Sequence, residues 1–142
     1  MRSMRVWSLL IAVGLVGCDD SVTGDLRLIV ALGSRDATAH ATLWEYVPGL
    51  ADGSATAIAR FERADLFDGA KSVPFTLVPD HADSGLGHYV TAWIDVDSDG
   101  IAEVGDYGVI DFNRVELGDD GVEVFLEPRS SVAVPEAVPC CP

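Results

Sequence analysis

Seven short runs of this 142-residue chain alternate apolar and polar side chains, and none holds a sustained 3.6-residue apolar stripe. A period of two suits strands, whose successive side chains point to opposite faces. In DLRLIVAL, Leu26, Leu28 and Val30 alternate with Arg27 and Ile29. HATLWEYV sets Trp44 and Tyr46 on one face and Leu43 and Val47 on the other. ATAIARFERA alternates Ala57, Ala59 and Phe61 with Ile58, Arg60 and Glu62, despite the poor strand propensity of alanine. SVPFTLVP, GHYVTAWID, YGVIDFNRV and GVEVFLEP complete the set, separated by Gly- and Asp-rich turns. The spacing predicts an all-β chain: a single antiparallel β-sandwich of about seven strands. ERADLFDGA leaves room for one helical turn, and Pro74 marks an edge strand or a bulge.

Residues 1–17 stand outside that pattern. Arg2 and Arg5 precede an apolar stretch from Val6 to Val16, too short to span a bilayer and suited to a secretory signal. It ends in Leu15, Val16, Gly17 and Cys18, which resembles the bacterial lipobox, so Cys18 is the expected site of lipidation and the mature N-terminus. The expected organisation is a cleaved lipoprotein signal peptide at 1–17 and a tether at 18–24. A β-sandwich domain at 25–129 and a disordered Pro-rich tail at 130–142 follow. Removing Arg2 and Arg5 leaves seven bases against 23 acids, a formal charge of about −16. Such a surface repels nucleic acid and anionic lipid headgroups, so no nucleic-acid partner is expected. Membrane contact is expected through the acyl chains on Cys18, which place the domain in the bacterial envelope at the inner or outer membrane. Asp19 resembles the inner-membrane retention signal of enteric bacteria. Cys140 and Cys141 are adjacent, so a bridge between them is strained, and two cysteines are too few for a zinc site.

The run YVTAWIDVDSDGIAEVGDYGV crowds Asp95, Asp97, Asp99, Glu103 and Asp106 into twelve positions. Against the calcium-loop pattern, Asp95, Asp97 and Asp99 fall at positions 1, 3 and 5, and Gly100 at the sharp turn of position 6. Ile101 offers a carbonyl at 7, Glu103 stands at 9 and Asp106 at 12. Aspartate at 12 resembles dockerin-type loops, whereas helix-loop-helix sites carry glutamate there. The expectation is one structural calcium ion in a loop joining two strands, against the plain alternative of an acidic solvated turn. Magnesium, which prefers a smaller octahedral shell with retained waters, fits less well.

No catalytic constellation stands out. There is no GxSxG, and DSGLGH only brings Ser84 near His88 in sequence. His40, His81 and His88 lack metal-ligand spacing, and no phosphate-binding glycine loop follows a strand. The chain is therefore read as non-enzymatic. Trp44 and Trp93 sit in strongly patterned strands and are expected in the core. Trp44, Tyr46 and Trp93 are also the aromatic surface candidates for an alternative function, a glycan-binding module.

Leu43, Ala51 and Asp52, Val73-Pro74-Phe75 through Pro79 and Asp80, and Tyr89 through Gly100 follow a recognisable order. An early apolar strand and an Ala/Asp turn are followed by a VPF-type strand and a Tyr-led strand ending in a glycine turn. In this the chain resembles the small envelope lipoproteins grouped with YbaY and the type III secretion pilotins of the YscW kind. The resemblance implies a lipid-anchored β-sandwich that binds or escorts another envelope protein. The full DxDxDG loop goes beyond the usual glycine turn of that group. The Tyr89 strand also resembles those of transthyretin-like and immunoglobulin-like sandwiches.

Overall fold

The computed structural model describes residues 19–50, 53–81, 83 and 85–130. Eight strands form in chain order: β1 Val22–Leu28, β2 Ala37–Tyr46, β3 Thr56–Leu66, β4 Ser72–Leu77, β5 Gly87–Asp95, β6 Tyr107–Val109, β7 Asn113–Val115 and β8 Val122–Pro128. The all-β expectation holds. The strands lie in one continuous sheet of order β3-β2-β5-β6-β8-β1-β4, with β7 paired to β5 off that path. Every named pair is antiparallel except β1 with β8, which run parallel.

The sheet curls until its two terminal strands meet, giving a nearly barrel-shaped body. The Phe61 ring of β3 lies 6.5 Å from that of Phe75 on β4, and the Asp80 N–H donates to the Ile58 carbonyl at 3.1 Å. Closure of this kind covers strand edges that would otherwise stand open to solvent. Pro74 stands on β4, a terminal strand, where a residue without an N–H is tolerated. Inside, Val22, Leu26, Leu43, Leu77, Ile94, Val124 and Leu126 are fully buried. On β2 the inward residues are Ala37, Ala39, Ala41 and Leu43, and β5 faces them with Ile94, Ala92 and Val90. Small side chains there let the two longest-paired strands approach the opposite wall closely.

Several local expectations need correction. β1 begins at Val22, inside the stretch expected to be a tether, because Val22 pairs with Leu77 and is fully buried. It ends at Leu28, so Val30 turns outward, 53% exposed, and Leu32 takes the next core place. Residues 62–66 continue β3 and do not form a helical turn, since Glu62 and Arg63 pair with His40 and Ala39. A register shift near Asp65, whose φ of 58° is left-handed, lets Leu66 return to the core opposite Ala37. A second shift puts Ile58 and Ala59 both inside. The run at 107–115 breaks into β6 and β7: Gly108 pairs with Trp93 and Asn113 with Val90. Four residues, 109–112, thus stand against two on β5, 91 and 92, and Ile110, Asp111 and Phe112 bow outward.

Gly24 is required by close approach. A Cβ there would lie 1.9 Å from the Val122 carbonyl oxygen, where β1 runs beside β8. Gly87 plays a similar part on the outer face, because a Cβ would stand 2.5 Å from the Tyr46 ring that covers it.

Candidate functional site

The acidic loop leaves the end of β5 and is braced from within. Asp95 is 1% exposed, and its Oδ2 accepts the Gly100 N–H at 2.7 Å. Gly100 has φ of +81°, so the chain turns here in a conformation that favours glycine. Asp99 Oδ1 accepts the Ile101 N–H at 2.7 Å, and Asp97 Oδ1 the Asp99 N–H at 3.4 Å. Asp106, 2% exposed, accepts from Val96 N–H at 2.9 Å and Glu103 N–H at 2.8 Å. The loop is also latched to the β1–β2 connection. Ser34 Oγ donates to the Val96 carbonyl at 3.0 Å, and Ser98 Oγ donates to the Asp36 carbonyl while accepting from Thr38 Oγ1 at 2.8 Å.

Asp95, Asp97 and Asp99 converge, with one carboxylate oxygen of each within 4.8 Å of the others. Asp95 Oδ1 is buried and has no hydrogen-bond partner. A buried polar oxygen without a partner costs roughly 1–3 kcal/mol, and this one faces the neighbouring carboxylates. Glu103 lies close enough to feel Asp97 and Asp99, and their charges hold its carboxyl above the ordinary value. Ile101 is 63% exposed at the loop tip. Asp106 serves here as a brace, with both oxygens turned to backbone amides. The expected calcium ligands are therefore gathered in part: the first three meet, Glu103 adjoins them, and Asp106 frames the loop.

Desolvation, the adjacent Asp95 carboxyl and the Asp99 charge together hold the Asp97 carboxyl above its ordinary value of 3.8. A raised carboxyl pKa means that the folded state keeps a proton the unfolded chain has released, so its stabilising effect is full below the unfolded pKa and fades as pH rises. The metal-free protein is expected to lose stability as pH rises above about 4 through this loop's titration. Bound calcium is expected to reverse that slope, because the cation favours the ionised form. Urea midpoints across pH 4–7, with and without chelator, check the sign. Parallel slopes would exclude the carboxylate cluster as their source.

The three aromatic candidates lie away from the core. β2 and β5 turn His40 with Trp93, Trp44 with Tyr89, and Tyr46 with Gly87 to the outer face. Trp44 and Trp93 are half-buried there, correcting the expectation that they fill the core, because alternation assigns that side to Leu43 and Ala92. The Trp93 ring stacks on His40 at 4.6 Å and 13°, and Trp44 Nε1 donates to Thr91 Oγ1 at 2.7 Å. Tyr46, Tyr89 and Phe112 form a tilted cluster beside Trp44. These rings stack on protein neighbours.

A second titratable group, at the other end of the β2–β5 pair, was not apparent from sequence spacing. Glu45 stands directly opposite His88, and His81 joins them from the connection after β4. Only the strand register, which brings residue 45 across from residue 88, reveals it.

Cys18, Cys140, Cys141 and the 1–17 and 131–142 segments lie outside the described residues. No known protein family matches the sequence, and no curated protein matches it. The fold does match a solved structure. The chain is similar to an alternative pilotin from the type II secretion system of Vibrio cholerae, at 23% identity and a TM-score of 0.59. The likeness covers 77% of this chain and 96% of the pilotin chain. It is a likeness of fold, and it agrees with the all-β domain expected from the YbaY and YscW resemblance.

Proposed function

We propose that this chain is a non-enzymatic bacterial envelope lipoprotein that binds and escorts a protein of a secretion assembly, as a pilotin does. Its anchor is acylated Cys18, and its domain stands in the periplasm or at the surface. One calcium ion, held chiefly by Asp95, Asp97 and Asp99 with Glu103 beside them, fixes the loop after β5. The observation that carries the escort role is the pilotin fold, matched over nearly the whole of that neighbour. The calcium ion rests on the unpartnered Asp95 Oδ1 within a convergent carboxylate set. The set is rich in hard oxygen donors, which suits calcium, whose shell takes six to eight oxygens at about 2.3–2.6 Å. The glycan alternative wants open ring faces, whereas Trp93 is stacked on His40 and Tyr46 is buried over Gly87.

The test is a pull-down of the full chain from detergent-solubilised membranes, with and without calcium, alongside labelled palmitate incorporation. A secretion-system component is expected in the wild-type eluate, and label is expected on wild type but not on Cys18→Ala. Recovery of no envelope protein under either condition overturns the escort role. Equal labelling of Cys18→Ala overturns the anchor.

A further inference from the structure

We infer that the end of the barrel carrying Asp19 rests directly on the bilayer, so that the domain stands upright with its acidic loop pointing away from the lipid. This rests on the proposed anchor at Cys18, which the experiment reads separately. Val22 pairs with Leu77 and Tyr46 with Gly87, and a cleft lined by Asp20, Tyr46, Leu86 and Leu117 joins these strand ends at one end of the barrel. The acidic loop leaves the opposite end, about 27 Å away along β5 at roughly 3.4 Å per residue. The stretch expected to be a tether is tied down. The Thr23 N–H donates to the Asp119 carbonyl at 3.0 Å, and a Cβ on Gly118 would stand 3.1 Å from the Asp19 carbonyl oxygen. Consecutive Cα atoms are about 3.8 Å apart, so a lipid on Cys18 leaves almost no leash before the folded domain begins.

The end so placed carries apolar side chains that lipid can take up. Val47 and Leu50 in the β2–β3 connection and Val78 after β4 are 44%, 56% and 67% exposed. Such side chains gain by entering the boundary between headgroups and acyl chains. Asp80, Asp83, Glu116, Asp119 and Asp120 lie in the connections at the same end, where Arg114 is the only Lys or Arg among the described residues. The surface that fits is therefore zwitterionic lipid, because an anionic bilayer meets these carboxylates with like charge. The far end lies well beyond the roughly 8 Å over which surface charge acts at physiological salt. Asp97 and Glu103, both exposed there, keep their contact with water and ions.

The test uses the lipidated chain with Cys140→Ser/Cys141→Ser, one added cysteine bearing a nitroxide, and phosphatidylcholine vesicles. Flotation with the vesicles reads the anchor alone: the chain is expected to float, and its Cys18→Ala form is not. Collision with oxygen relative to an uncharged nickel chelate rises with depth in lipid. That ratio is expected to be severalfold higher at Leu50→Cys and Val78→Cys than at Phe67→Cys and Ile101→Cys, which stand at the far end. Twelve Gly/Ser residues inserted after Cys18 are expected to erase most of the difference without affecting flotation, since such a linker reaches roughly 17–21 Å. Phosphatidylglycerol in place of phosphatidylcholine is expected to lessen it. Equal ratios at the two ends of a floating chain overturn the seating while sparing the anchor. A chain that does not float overturns both. A difference that survives the insertion overturns the short attachment as its cause, and one that grows in phosphatidylglycerol overturns the choice of lipid.

Discussion

Calcium at a hundred-fold excess over its Kd is expected to stabilise the folded chain by about 2.7 kcal/mol. For a domain of this size that is a rise in Tm on the order of 10 °C. The effect arises because the ligand geometry exists only when β5 and the β1–β2 connection hold the loop. Ser98 is tied to Asp36 and Thr38, and Asp95 is pinned by Gly100. An unfolded chain offers the same carboxylates without that convergence. Asp97→Ala is expected to abolish most of the calcium response while leaving the metal-free Tm unchanged or higher, because an exposed like charge has been removed. Asp95→Asn is expected to lose the response as well. Melting curves that superimpose with and without chelator would remove the ion from this fold.

The second large effect is steric. Gly24→Ala is expected to lower stability by the upper end of the roughly 1–3 kcal/mol typical of overpacking, or by more. The added methyl meets the backbone of Val122, not a side chain that could swing aside, so β1 and β8 must separate. Gly33→Ala is the control, since open space surrounds that position. Urea midpoints report both. A Gly24→Ala midpoint equal to that of Gly33→Ala would show that the two strands do not run so close.

Strand positions were legible in the sequence wherever alternation reported burial directly, as at Leu26, Leu28 and Leu43. It failed where tertiary pairing overrode the local pattern. Val22 looked like tether because Gly24 and Asp25 after it are poor strand residues, yet Val22 pairs with Leu77 of β4, and β8 takes the other side of β1 from Gly24 onward. The break between β6 and β7 left no local mark, because it comes from β5 offering too few positions for a nine-residue run. Tryptophan is large and apolar, but which side of a strand is inside depends on partners the sequence does not display. Trp44 and Trp93 therefore went to the outer face. The convergence of Asp95, Asp97 and Asp99 was legible because these carboxylates are local and regularly spaced. The Glu45, His81 and His88 group draws on three separate segments, and periodicity within any one of them is silent about it.

The parallel pairing of β1 with β8 bears on how the molecule assembles. Synthesis delivers the N-terminal strand first, yet its neighbour on one side lies about a hundred positions later, with Gly24 opposite Val122. Contacts that distant in sequence slow folding, because loop-closure entropy is lost before the contacts form. The sheet therefore cannot close around β1 until the final strand has been made. Truncation before residue 122 should leave β1 without one wall and yield protein that is degraded, not merely less stable.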